Sequence, residues 1–164
     1  NVKEPVDNII GNEGEGFKIA LATLDGGRIG IAAQALGIAQ ASLNASVSYS
    51  KERIQFGKPI SINQAIQFKI ADMAMEIESA RLLVRQAAWK KDQKQNYSHV
   101  ASMAKVYASE VAIRASTQCV QIHGGFGYMR EAGVERLMRD AKITQIYEGT
   151  SEIQRVVIAR SILK

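Results

Sequence analysis

The segment QIYEGTSEIQ (145–154) places an acid where an acid can do chemistry. Glu148 lies between Tyr147 and the turn formers Gly149, Thr150 and Ser151, just ahead of a final helical pattern. Two readings stand side by side. Glu148 is a surface acid favoured by the positive end of the helix dipole, or it is a general base. A carboxylate beside Tyr147 in a half-dry pocket suits removal of a proton alpha to a carbonyl, and free N–H groups at a helix start can polarise that carbonyl. Ser151 is the expected N-cap, with Gln154 three residues on to complete a capping box.

Three further stretches carry candidate chemistry. QIHGGFGY (121–128) ends a helix on Gly124, Gly125 and Gly127, which either form an ordinary C-cap or let the backbone approach a bulky or anionic group. No strand precedes it, so no Rossmann site is indicated. SKERIQFGKP (50–59) sets Arg53, Phe56 and Lys58 at a helix–loop junction. Arg53 caps helix carbonyls there, or grips a phosphate with its planar fork. In LDGGR (24–28), Asp25 and Arg28 are three apart and can pair with each other, while the flanking glycines leave room for a ligand. His99 and His123, the only histidines, do not fit the Glu-x-x-His spacing of a bundle metal site, so no metal is expected. His99 is expected in a loop and His123 in local packing.

These groups need helices to position them. The 164 residues hold only two prolines, Pro5 and Pro59, and 46% hydrophobic residues. Residues 1–16, rich in Gly and Asn, read as a connector, and 17–164 as one helical domain. A first helix is expected from Phe17 to about Arg53, with Gly26, Gly27, Gly30 and Gly37 marking close approaches or a kink. A second runs from about Ser61, its candidate N-cap, to Gln93. Ile66, Ile70, Met73, Ile77, Ala80 and Val84 form its single buried stripe. A third, about Ser98 to Ile122, puts Ala101, Ala104, Ala108, Val111, Ala115 and Cys119 on one face. A short helix over about Val134–Asp140 and a last one from Ser151 follow. The expected fold is all-α: an antiparallel up-down four-helix bundle with a short extra helix.

The net charge of +5 comes from dispersed basic residues, which argues against a nucleic-acid partner. No membrane span is visible. Cys119 is alone, so there is no disulfide framework, and a reducing compartment is expected.

Taken together, RIQFGKPI, FKIADMAMEIESAR, QIHGGFGY, RLMRDAKITQIYEGTSEIQR and VIAR, in this order, resemble the C-terminal helical domain of acyl-CoA dehydrogenases. LDGGRIGIAAQALGIAQ and TSEIQR look most like the short-chain, butyryl-CoA branch. The resemblance implies an FAD-dependent oxidation of a short-chain acyl-CoA to its trans-2-enoyl-CoA, a step of fatty-acid β-oxidation. Glu148 falls on the position of the alpha-proton base. Some members carry that base on the first long helix, where this chain has Gly27. Asp25, Arg28 and Gly149 match substrate positions. Arg53, Ile54, Gln55 and Phe56 resemble a segment that grips FAD, often that of a neighbouring subunit. Asn63, Gln64, Gln121, Ile122, His123, Gly124 and Gly125 carry over similarly, as do Thr150, Ser151 and Glu152 on the flavin-side turn.

On this resemblance the acid is expected beside a cleft lined by the Arg53 and Gly124 segments. Family members are more than twice this long, so residues 1–16 read as the connection from a middle β domain, and the fragment alone is expected to be inactive. An electron-transfer flavoprotein is the implied acceptor and a homodimer or homotetramer the implied assembly. The bacterial cytoplasm or the mitochondrial matrix is the implied location. The competing reading is a helical oligomerisation module without catalytic activity.

Overall fold

A computed structural model describes all residues, 1–164. Residues 1–15 hold one 3-10 turn, Val6–Asn8, and leave Val2, Val6 and Ile10 exposed. Helix α1 then runs unbroken over Gly16–Glu52, 37 residues. Its composition explains its length: no proline, many alanines, and glycines whose penalties are offset by packing. At Arg53 the chain turns extended and forms a minimal hairpin, β1 (Ile54–Gln55) against β2 (Lys58–Pro59). Phe56 and Gly57, both at positive φ, make its two-residue turn. A 3-10 turn, Ile60–Ile62, leads into α2, Gln64–Asp92.

Helix α3 spans Ser98–His123, and α4 is a single turn, Gly125–Tyr128. Helix α5 covers Val134–Ile143 and α6 covers Ser151–Ile162. Helix α2 runs antiparallel to α3, Lys69 reaching Gln118 and Glu76 reaching Arg114, while α1 and α3 run parallel, Arg28 beside Ser102 near their starts and Tyr49 beside His123 at their ends. Helix α3 packs against α1, α2, α5 and α6. No helix is long and apolar enough to cross a membrane. The expected bundle is therefore the one observed, with α4 as an added turn.

The expected faces are those that are buried. Met73, Ile77, Ala80 and Val84 of α2 are in the core, with Ile66 and Ile70 packed against it. Between α1 and α3 the core is a seam of small side chains. Ala32, Ala35, Ala39, Ser42 and Ser46 have no exposed surface, and neither do Ala101, Ala104, Ala108 and Ala112. The buried serines satisfy their hydroxyls on their own helix, as Ser42 does on the Ile38 carbonyl at 2.9 Å and Ser46 on the Ser42 carbonyl at 2.8 Å. They therefore thin the helix surface without leaving an orphaned polar group.

Helix starts were the least legible elements. Ser61 sits in the 3-10 turn, and Asn63 is the N-cap of α2. Ser151 does not cap α6: Thr150 does, its hydroxyl accepting from the Ile153 N–H at 3.4 Å. No capping box forms, because with Thr150 as the N-cap the third helical position is Ile153, which has no acceptor to return. His99 lies in the first turn of α3 rather than in a loop. Glycines do not interrupt α1; Gly26 lies against the Lys91 amine, whereas Gly30 and Gly37 face open space.

The seam predicts an asymmetric response to substitution. Ala108→Leu overpacks α1 against α3 and should lower stability by about 1–3 kcal/mol, a Tm loss of several degrees. Gln86→Ala, at an exposed position of α2, should stay within about 0.5 kcal/mol. Thermal melts of the two variants, side by side, check this.

Candidate active site

The turn between α5 and α6 is held in an unusual backbone state. Glu148 has φ +54° and Gly149 has φ +88°. Glycine takes this region freely, but a glutamate there stores about 1–2 kcal/mol. Side chains from other segments hold the turn in place. The Gln154 amide donates to the carbonyls of Glu148 and Gly149 at 3.1 and 3.0 Å. The Lys105 amine, from α3, donates to the Gly149 carbonyl at 2.7 Å. The Ser151 N–H donates to the Gln145 carbonyl at 3.0 Å and closes the turn. Tyr147 is tied to α1 by its hydroxyl, which donates to Gln34 at 2.5 Å.

This backbone aims the half-buried Glu148 side chain at α1. A Cβ added to Gly27 would stand 2.5 Å from Glu148 Oε2 and 3.0 Å from its Cδ. The carboxylate thus occupies the recess that the missing side chain leaves. The predicted Asp25–Arg28 pair, which flanks Gly27 in the chain, forms, Arg28 Nη1 donating to Asp25 at 2.6 Å and to Ser102 at 3.3 Å. Ser98 donates to the same Asp25 oxygen at 2.9 Å. Arg28 is buried and its Nε has no partner. An acid, a buried guanidinium and a buried amine therefore converge where α1, α3 and the turn meet.

The Lys105 ammonium is out of water. Burial, and then the neighbouring Arg28 charge, push its pKa down to about 8, while Glu148 and Glu152 pull it back up. Glu152 itself is exposed, with its carboxyl held below the usual range by its own backbone N–H and then by the Thr150 hydroxyl.

A second cluster lies at the other end of α1. Tyr49, Arg53, Gln55, Ile60, Ile122, His123, Gly124, Gly125 and Phe126 line a cavity of about 540 Å³. The His123 ring stacks on Tyr49 with centroids 4.1 Å apart, and its Nδ1 bonds the Cys119 carbonyl at 2.8 Å. Gly124 has φ 63° and ψ −146°, a region open essentially to glycine alone. Of the other residues expected here, Ile54, Phe56, Asn63, Gln64 and Gln121 are exposed around the rim of this end and do not line the cavity.

The expectation that Glu148 stands beside this cleft fails. Its contact on α1 is Gly27, whereas Tyr49 of the cleft is roughly 22 residues further along, a separation of ~33 Å at the rise of an α-helix. Thr150, Ser151 and Glu152 stay at the acid's end, where they line a smaller recess of about 200 Å³ with Glu110, Lys142 and Arg155. The Ser151 hydroxyl is buried there without a partner.

Sequence reasoning missed Lys105 and Gln154 beside the acid, and Tyr49 and Phe126 in the cleft. For Lys105 a signal was present. It is four residues after Ala101 and three before Ala108, so it shares their buried face.

The depressed Lys105 pKa sets a sign for stability. Between about 8 and the ordinary 10.5 the unfolded chain binds this proton more tightly than the folded one. Stability from this group therefore rises with pH across that window. Urea unfolding at pH 7.5 and 9.5 should show the gain in the native chain and its loss in Lys105→Met.

Comparison with known proteins places the sequence and fold in a family. The profile described as acyl-CoA dehydrogenase, C-terminal domain, matches residues 14–163. "Probable acyl-CoA dehydrogenase YngJ" of Bacillus subtilis is 61% identical over the whole chain, which covers 43% of that protein. The mitochondrial short-chain specific acyl-CoA dehydrogenase of Bos taurus is 57% identical over 98% of the chain and 39% of its own length. Among solved structures, butyryl-CoA dehydrogenase from Megasphaera elsdenii superposes with a TM-score of 0.96 at 57% identity, over 98% of this chain and 42% of that one. A chain in a structure described as the electron transferring flavoprotein of Acidaminococcus fermentans also reaches 0.96, at 58% identity, over 98% of this chain and 42% of that one. The chain spans less than half the length of these relatives, and it belongs to the acyl-CoA dehydrogenase C-terminal domain family.

Proposed function

We propose that this chain is the helical catalytic domain of an FAD-dependent acyl-CoA dehydrogenase that converts a short-chain acyl-CoA to its trans-2-enoyl-CoA, with Glu148 as the alpha-proton base. The observation that carries the reading is the Glu148 carboxylate, held by a left-handed turn in the recess over Gly27. Asp25, Arg28 and the Gly149 backbone are the substrate-side groups. Residues 1–16 serve as the connector from the rest of the relatives' length, and the 164 residues alone do not turn over substrate.

FAD fits the residues present. The Arg53 cleft offers a guanidinium for pyrophosphate, an aromatic shelf of Tyr49 and His123, and Gly124–Gly125 with open space where side chains would stand. The buried, unpartnered Ser151 hydroxyl offers a polar contact at the other end. Two separated clusters suit two flavins, the chain's own at Thr150–Glu152 and a neighbouring subunit's at Arg53–Phe56. When bound, FAD supplies the acceptor for the β hydride. The chain's own task is at the alpha carbon. Glu148 takes the proton, Tyr147 walls the turn, and the fixed backbone spares the reacting geometry an entropic search.

An assembly of two or four copies is part of the proposal. Phe68, Met75, Leu82 and Trp89 recur every seven residues along α2 and are 56–63% exposed, an uncovered apolar stripe opposite the core. The likeness to a chain in the electron transferring flavoprotein structure supports such a flavoprotein as electron acceptor. Kinship to bacterial and mitochondrial enzymes supports a cytoplasmic or matrix location.

In the full-length protein, Glu148→Gln should lower turnover about 10²–10⁴-fold, the range for a lost general base, with flavin content unchanged. An assembly module without catalytic activity predicts no change in any measured property. Gly27→Ala is subtler. The new methyl must displace the carboxylate, so kcat should fall about 10–100-fold, while Tm stays level or rises because alanine favours the helix. Steady-state kinetics and a melt on the same preparation check both halves.

A further inference from the structure

Lys105 is the only lysine in the chain's interior, and no part of it is exposed. Its neighbours on the same face of α3 are Ala101, Ala104 and Ala108, all without exposed surface. A methionine of similar length would fill this space without the desolvation that lowers the amine's pKa. The amine makes one hydrogen bond, and it goes to the Gly149 carbonyl, next to Glu148 in the chain. A non-glycine residue in the left-handed region persists only where its surroundings over-determine it. Here Lys105 from α3 and Gln154 from α6 supply three bonds to two successive carbonyls. The Lys105 bond is the shortest of the three and the one with a charged donor.

We propose that Lys105 is a positioning residue for Glu148: through the Gly149 carbonyl it holds the turn left-handed and keeps the Glu148 carboxylate seated over Gly27. The charged groups facing the amine are Arg28 from α1, Glu148 from the turn and Glu152 from α6. Loss of the amine's proton weakens the clamp, because a neutral amine is the poorer donor. The catalytic half of this inference rests on Glu148 being the base; the structural half stands independently.

The test uses the full-length protein and Lys105→Met. Hydrogen–deuterium exchange of the 147–151 segment should accelerate at least about tenfold, with α3 itself and the Arg53 cleft unchanged. Turnover should fall about 10–100-fold with KM nearly constant. A lysine that only fills the core predicts a lowered Tm with unchanged exchange at the turn, and that result overturns the proposal. Should Lys105→Met not fold, Lys105→Gln, with a neutral donor, answers: exchange of 147–151 must still accelerate, and unchanged exchange overturns the proposal. A loosened turn with full turnover upholds the clamp and instead removes Glu148 from its catalytic role, which Glu148→Gln reports separately.

Discussion

The close approach of α1 to α3 is the constraint from which the rest follows. Alanines and self-satisfied serines line both sides, so the helices meet almost backbone to backbone. Gly27 is on one of these helices and Lys105 on the other. The turn that carries Glu148 is buttressed by both, its carboxylate against the first and its neighbouring carbonyl on the second. A wider seam would separate the recess from the clamp, and the acid would lose one or the other. Packing and site are in this sense a single structure: small residues set an interhelical distance, and the distance sets a geometry.

The site also concentrates the features that stability alone would avoid. It has a buried amine with a depressed pKa, a glutamate in the left-handed region, and buried Arg28, Ser151 and Gln154 atoms without partners. Elsewhere in the bundle no buried side-chain polar atom lacks a partner. Local departures of this kind, gathered in one place and supported by well-packed helices, are what a functional site requires of its scaffold.

Helical faces were legible because periodicity reports burial directly: the stripe from Ile66 to Val84 and the small-residue face from Ala101 to Cys119 are where the spacing puts them. Helix starts were not, since Ser61 and Asn63 before α2, and Thr150 and Ser151 before α6, are all acceptable caps by residue type, and only the path of the preceding backbone selects among them. Glu148 could be singled out as an acid on a turn, but its seat over Gly27 is a contact between residues 121 positions apart, invisible to local pattern. Lys105 was missed because a lysine is read by default as a surface residue, although its register marks it as interior. The separation of the acid from the Arg53 cleft could have been foreseen from the helical rise along α1; the shared family resemblance of the two motifs hid it.

Helix α1 also acts as a ruler. Since it is unbroken from Gly27 to Tyr49, it fixes both the spacing and the relative rotation of what its two ends contact. Inserting or deleting a single residue between them would turn one end by about 100° and slide it about 1.5 Å against the other. Composition along that stretch can drift within the limits of the seam, whereas its length has no comparable freedom.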